Sequence, residues 1–447
     1  MLLRYNVSNF KSIGEKIEYS MFPLDNENPK YLSFIKTVAG TWGVLRRGAL
    51  FGPNASGKTG FIDSIAFSQR YILKGSSSIK FTRVNQFKGF IDKVTSFDYV
   101  IYANGEVYQY GFALDKLYVH EEWLYKLDKN GSMKPLFTRF TDSKSNTNIE
   151  IFSAYSRRNS KVRNIADLLT EMVKENQLFL TKLYDNKSHT RDIDAIINWF
   201  ESLQIIYPST TLHALPLQVK EDDSFGAFLS KHLNNMDTGV QNISVATEEY
   251  SLEKFKDKFN LPDEFIQDIE EKQAGVISIN GQYFIFSDRK KGQPIVFVRL
   301  KFEHQLNGKA VSLNLEDESD GTRRIINLLP ILFEINDITA KKIYIVDELD
   351  RSLHTKLSKK FISMFEKITT NVAAQLIFTA HDVNLLDLDL FRSEEIWFIE
   401  KKVSGETKFK PFSDFDIHNN ENILKDYLNG RFGAVPVIRG GENDGDN

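Results

Sequence analysis

The 447-residue chain contains no cysteine. Disulfides, cysteine-ligated zinc and thiol catalysis are therefore excluded, and a reducing cytoplasm is the expected compartment. Long apolar runs are absent too, and Met1-Leu2-Leu3-Arg4-Tyr5-Asn6 lacks the basic and apolar regions of an export signal. The expectation is a soluble protein with no membrane partner. An excess of either charge is also missing: 57 Lys plus Arg against 60 Asp plus Glu give a net charge of −3, so only a local basic patch could grip nucleic acid. No apolar heptad persists long enough for a coiled coil, and the eight histidines lie apart, without an H-N-H nuclease pattern. The length allows a large core that needs neither disulfide nor metal.

What is present centres on Gly52-Pro53-Asn54-Ala55-Ser56-Gly57-Lys58-Thr59, which matches the phosphate-binding pattern G-x-x-x-x-G-K-[ST]. Ala49-Leu50-Phe51 before it reads as the end of a buried strand. Phe61, Ile62, Ile65, Tyr71 and Ile72 after it form a helical apolar stripe. A strand, a glycine-rich loop and a helix thus occur in the order the mechanism needs. Loop N–H groups and the positive helix end would wrap the β- and γ-phosphates of a nucleotide, Lys58 would add a point charge, and Thr59 an oxygen for Mg²⁺.

Hydrolysis also needs a metal carboxylate and a group that orients water. Ile343-Tyr344-Ile345-Val346 is a short run of the buried parallel-strand kind and ends in Asp347-Glu348. Asp347 is the candidate metal partner, and Glu348 the candidate base for the attacking water. Glu318-Ser319-Asp320-Gly321-Thr322 opens a helix with apolar Ile325, Ile326, Leu328 and Leu329; Ser319 suits an N-cap, and the helix start can face an anion. His381 follows the apolar strand Ala374–Phe378 at the edge where open parallel sheets place ligands, so a γ-phosphate contact is expected.

Elsewhere the pattern is β-rich, then helical, then β-rich. Leu3, Tyr5 and Val7, then Ile17 and Tyr19, read as a hairpin turning near residues 11–14. Residues 81–152 read as an antiparallel meander, with Asn104-Gly105 and Asn130-Gly131 as turns between strands 97–103, 107–113 and 123–127. Residues 161–275 read as short helices punctuated by Pro208, Pro216 and Pro262. Strands return over 277–286 and 295–302. The expected organisation is an N-terminal lobe over 1–160, a helical insertion over 161–275, a C-terminal lobe over 276–438, and a disordered acidic tail over 439–447.

The order phosphate loop, Ser-x-Gly helix, Asp-Glu strand and strand ending in His resembles the ABC-type ATPase heads, including SMC and RecF-like proteins. Val7-Ser8-Asn9-Phe10-Lys11-Ser12 is similar to their opening strand. The resemblance implies an α/β head with a mixed central sheet, an antiparallel β subdomain and a helical insertion. It also implies a head-to-head dimer. Lys58, Thr59, Asp347, Glu348 and His381 of one subunit would face Ser319 and Gly321 of the other, while the segment from Leu349 to His354, including Asp350, would line the nucleotide at the seam. Gln86 is the candidate for the glutamine that senses Mg²⁺ and water. The helix start departs from L-S-G-G-Q, with Glu318 for leucine, Asp320 for the first glycine and Thr322 for glutamine.

Residues 318–323, 347–354, 395–401 and 427–436 further resemble compact prokaryotic anti-phage ATPases: the abortive-infection AbiL/RloA type, the ATPase of the PARIS system, and the ATPase part of OLD-family nucleases. OLD proteins carry a Toprim nuclease after the ATPase. Too little chain follows His381 for such a domain, and Asp387-Leu388-Asp389 reads as a solvated helix start. The resemblance therefore implies a separate effector protein, a Toprim-type nuclease, held inactive until a phage protein or DNA structure arrives. The alternative is a DNA-repair or DNA-end ATPase. Tyr155–Arg163 is the basic stretch with an aromatic that could contact DNA or an acidic partner.

Overall fold

The computed structural model describes residues 1–25, 31–75, 94–142, 146–152, 160–186, 190–210, 215–272, 274–279, 282–287, 294–336, 342–415 and 423–433. The chain forms two compact units: 1–208 with 335–350 and 358–447, and 209–334 with 351–357.

The first unit holds a six-stranded sheet in the order Leu203–Ile206, Ile343–Val346, Gln375–Ala380, Arg47–Phe51, Ile396–Lys401, Thr407–Pro411. The first five strands run parallel, and the last pairs antiparallel with Ile396–Lys401. The three inner strands at 343–346, 375–380 and 47–51 are buried along their whole length, as their unbroken apolar runs require. An antiparallel sheet of seven strands forms the other layer, in the order Thr147–Ile151, Met133–Thr141, Val119–Leu127, Glu106–Leu114, Thr95–Ala103, Leu2–Ser8, Ile17–Ser20. The expected hairpin and meander are thus one sheet, joined where Tyr5 stands opposite Tyr99.

Helix Lys58–Lys74 lies between these layers. Phe61 packs on Tyr5 and Tyr19 of the antiparallel sheet at 5.5 and 5.4 Å and on Phe409 of the central sheet at 4.9 Å. Phe61 is fully buried, a burial that contributes about 1.5–3 kcal/mol. Ser64 and Ser68 supply hydroxyl partners for the buried Tyr5 and Tyr99. Gln375, wholly buried, bonds Leu2 N–H at 2.6 Å, Leu2 C=O at 3.0 Å and Leu45 C=O at 2.9 Å, and so stitches the two sheets together.

The second unit is built on strands Val240–Tyr250, Ile295–Leu306, Gln282–Ser287 and Ala274–Ile279, with Lys309–Asn314 added beside Ile295–Leu306. Helices Leu252–Phe259 and Asp263–Glu271 cover part of it through Phe255, Ile266, Ile269, Phe284 and Phe297. Helix Asp320–Glu334 meets Asp223–Asn234 through Phe333 and Phe225, 4.7 Å between ring centres.

The α/β class, the mixed central sheet and the antiparallel β layer are as expected. The helical insertion over 161–275 is corrected on two counts. Helices Ser160–Thr170, Phe179–Asp185 and Arg191–Glu201 belong to the first unit, and the second unit carries a five-stranded sheet. Leu203–Ile206 is only four residues and directly follows a helix, so its period merges with that helix; Val240–Tyr250 buries few positions and shows no clean alternation. Asp387-Leu388-Asp389 is a turn, not a helix start: Asp387 accepts Asp389 N–H at 2.9 Å and Lys359 Nζ–H at 2.7 Å. Gln86, the Asn280-Gly281 turn, residues 155–159 of the basic stretch and the tail lie outside the described residues. Among the described residues no helix is long and apolar enough to cross a membrane.

Candidate functional site

The loop from Gly52 to Thr59 joins the buried strand Arg47–Phe51 to helix Lys58–Lys74. Its two motif glycines are required by different contacts. A Cβ on Gly52 would meet the Ile399 carbonyl oxygen at 2.2 Å; at Gly57, φ is +111° and a Cβ would meet Thr407 Oγ1 at 2.1 Å. Thr407 in turn donates to the Ser56 carbonyl at 2.9 Å and bonds Ser12 Oγ at 2.8 Å, so the antiparallel edge strand braces the loop from outside. Pro53 accepts from Ser56 N–H at 3.2 Å, while Asn54 and Ala55 form the exposed tip, Ala55 at φ +62°.

Lys58 is 5% exposed, and its Nζ donates to the Gly52 carbonyl at 2.6 Å and the Pro53 carbonyl at 3.0 Å. Burial pulls its ammonium down from the usual lysine range to about 8, against the opposing pull of Asp347, Asp350 and Glu348. The Ser56 hydroxyl is buried with no partner. Helix geometry leaves the first-turn N–H groups without intrahelical acceptors. A buried cation, an unpaired hydroxyl and a helix N-terminus with open donors fit a nucleotide phosphate chain.

Across the sheet, Thr59 Oγ1 donates to Asp347 Oδ2 at 2.9 Å. Two hard oxygen donors side by side fit Mg²⁺, which takes a carboxylate and a hydroxyl along with phosphate oxygens. Asp347 Oδ1 accepts Thr379 Oγ1–H at 2.7 Å, and Thr379 Oγ1 accepts Glu348 N–H at 2.7 Å. Glu348 sits at φ +48°, in the left-handed region, with Oε1 3.6 Å from His381 Nε2. His381 Nδ1 is 3.4 Å from Lys58 Nζ. Asp350, 8% exposed, accepts the N–H groups of His381 and Asp382 on Oδ2 at 2.8 and 2.5 Å, and its Oδ1 is buried without a partner. The structure therefore brings Lys58, Thr59, Asp347, Glu348, Asp350 and His381 together.

Ser319 and Gly321 belong to the second unit. Ser319 Oγ accepts Thr322 N–H at 3.1 Å, the expected N-cap. A Cβ at Gly321 would meet the Ser352 carbonyl at 2.8 Å, which restricts that position to glycine. Glu318, 6% exposed, bonds His304 Nε2 at 2.6 Å; its place in the helix start depends on a partner that no local pattern reveals. Asp320 pairs with Arg323 at the surface.

Sequence reasoning missed Thr379, Thr407 and the pair Asp63–Tyr207, in which Tyr207 donates to Asp63 Oδ1 at 2.7 Å while Lys11 pairs with the same carboxylate. Thr379 alone has a signal, two positions before His381 and directly after the apolar run Ala374–Phe378.

A phosphate loop on a parallel sheet, with paired acidic residues ending the next strand but one, defines an α/β nucleotide-binding protein of the phosphate-loop class. The chain belongs to the AAA domain family described as "AAA domain, putative AbiEii toxin, Type IV TA system", whose profile matches residues 49–387. No curated protein sequence matches it. Among solved structures, it is similar to the SMC head domain from Thermotoga maritima, at 14% identity and a TM-score of 0.40 over 93% of this chain and 99% of that one. It is also similar to an Smc head bound to the C-terminal winged-helix domain of ScpA, at 12% identity and a TM-score of 0.40 over 92% and 96% of the two chains. A third is an Smc head domain with an extended coiled coil bound to the C-terminal domain of ScpA from Pyrococcus furiosus, at 11% identity and a TM-score of 0.37, covering 92% and 95%.

Proposed function

We propose that this ATPase is the sensor subunit of a prokaryotic anti-phage, abortive-infection system, holding a separate toxic effector until a phage trigger arrives. The observation that supports nucleotide hydrolysis most directly is the 2.9 Å bond from Thr59 to Asp347, which closes motifs 288 residues apart into one cluster. In this reading Lys58 and the loop from Gly52 to Thr59 hold the phosphates of ATP, Thr59 and Asp347 hold Mg²⁺, Glu348 aligns the water, and His381 reads the γ-phosphate. Ser319 and Gly321 of a second copy complete the site, with Asp350 at the seam. The family's association with a type IV toxin–antitoxin system supports the defence role. Identity with an AbiL/RloA-type or PARIS-type ATPase, and a Toprim-type nuclease as effector, are the finer parts of the same proposal.

The test is purification of Glu348→Gln from the native host with ATP present, with Lys58→Ala as the non-binding control. Mutating a general base costs about 10²–10⁴ in rate while leaving ATP bound. A stoichiometric nuclease-like protein retained by Glu348→Gln and absent from Lys58→Ala is the expected result. Recovery of DNA without a protein partner would overturn the defence reading and favour a DNA-end ATPase.

A further inference from the structure

We propose that Thr379 is a positioning residue that sets the geometry of both acidic groups of the site through one hydroxyl. The inference rests on the assignment of Asp347 to metal and Glu348 to water. Thr379 is fully buried at the penultimate position of strand Gln375–Ala380. Its Oγ1 donates to Asp347 Oδ1 at 2.7 Å and accepts Glu348 N–H at 2.7 Å, and its carbonyl accepts Leu349 N–H at 3.0 Å. Three consecutive residues after the Asp347 strand are thus tied to one residue of the neighbouring strand. The tie matters for two reasons.

The Thr379 bond to Oδ1 fixes the plane of the Asp347 carboxylate and so the direction in which Oδ2 faces Thr59. Glu348 occupies the left-handed region at φ +48°, which costs a non-glycine residue about 1–3 kcal/mol and persists only where neighbours fix it. The bond from Glu348 N–H to Thr379 Oγ1 is such a fixture. It also keeps the Glu348 carboxylate near His381, at 3.6 Å. The hydroxyl serves as donor to one residue and acceptor to the next, so no apolar isostere can replace it. A purely structural threonine on a buried strand would need only its methyl group.

The experiment compares Thr379→Val and Thr379→Ser with the wild-type full chain, measuring ATP turnover, its Mg²⁺ dependence, nucleotide affinity without Mg²⁺, and thermal melting. Outer-shell partners of metal ligands affect metal affinity or activity by about 10–100-fold. Thr379→Val is expected to lower kcat and raise the half-saturating Mg²⁺ concentration within that range, with Mg²⁺-free nucleotide affinity unchanged. Thr379→Ser, which keeps the hydroxyl and loses the methyl group, is expected to restore both to within about threefold. A Thr379→Val protein with wild-type turnover and Mg²⁺ dependence would overturn the inference, as would Thr379→Ser behaving like Thr379→Val. Should the valine protein not fold, Thr379→Cys, a poor donor and acceptor of similar size, gives the same readout. If Glu348→Gln abolishes turnover while Thr379→Val does not, the inference alone fails. If the wild-type chain shows no Mg²⁺-dependent turnover, the proposed function fails with it.

Discussion

Raising pH should weaken nucleotide binding through one side chain. Burial sets the Lys58 ammonium at about 8 in the free protein. A bound triphosphate brings negative oxygens to Nζ and lifts that value again, so binding above pH 8 must take up a proton. The terminal phosphate is already ionised in this range and adds no opposing term. With a free-state pKa of about 8, the protonated fraction of Lys58 falls about 25-fold from pH 7.5 to 9.5, an expected loss of ~1.9 kcal/mol in binding. Stability of the free chain moves the other way. Below about pH 8 folded and unfolded states both carry the proton and the folded state bears the cost of burying it; that cost is relieved as pH rises towards the ordinary lysine value. Titration calorimetry in buffers of different ionisation enthalpy reads the proton uptake directly, approaching one proton per nucleotide at the upper end. Lys58→Arg cannot lose its proton and is expected to flatten the profile. An affinity independent of pH in the wild type, or an unchanged slope in Lys58→Arg, would refute the reasoning.

Two further outcomes test the frame and the shared site. Arg47 and Glu395, 1% and 0% exposed, form a bidentate ion pair with hydrogen bonds of 3.2 and 3.1 Å at the start of the phosphate-loop strand, and Glu366 accepts a further bond from Arg47 at 3.3 Å. Arg47→Met leaves Glu395 buried without its cation and is expected to cost ~3–5 kcal/mol, read by denaturant or thermal unfolding; a loss under 1 kcal/mol would show that the carboxyl is accommodated as a neutral group. For the shared site, mixing Lys58→Ala with Ser319→Ala protein is expected to recover up to about a quarter of wild-type turnover through mixed dimers, each with one intact site. Recovery no greater than the sum of the separate proteins would argue against a contribution of Ser319 from a second copy.

The parts legible in the sequence are those whose physics is local. The phosphate loop needs a strand, two glycines and a helix within a short stretch, and all of these are contiguous from Arg47 to Lys74. The turns at Asn104-Gly105 and Asn130-Gly131 likewise advertise themselves, Asn104 and both glycines having positive φ. What could not be read depends on contacts between distant segments. Thr407 braces the loop from 351 residues away, and Gln375 bonds Leu2 across 373. The strand Leu203–Ile206 is not legible within the helical region because four residues carry almost no period, and only its pairing with Ile343–Val346 fixes it as a strand.

That short strand and the strand order explain why the site has the composition it does. The phosphate-loop strand and the Asp347 strand are not neighbours; Gln375–Ala380 lies between them. Side chains at its C-terminal end are therefore the ones within reach of both motifs. Thr379 bonds Asp347, and His381 stands 3.4 Å from Lys58 and 3.6 Å from Glu348. The edge strand holds the opposite flank, where Ile206 C=O accepts Asp347 N–H at 2.8 Å. Asp347 is thus fixed by its backbone from one side and its carboxylate from the other. A parallel sheet in which either neighbour of strand Ile343–Val346 were a different strand would leave the acidic pair without one of the two supports, whatever the motifs themselves spelled.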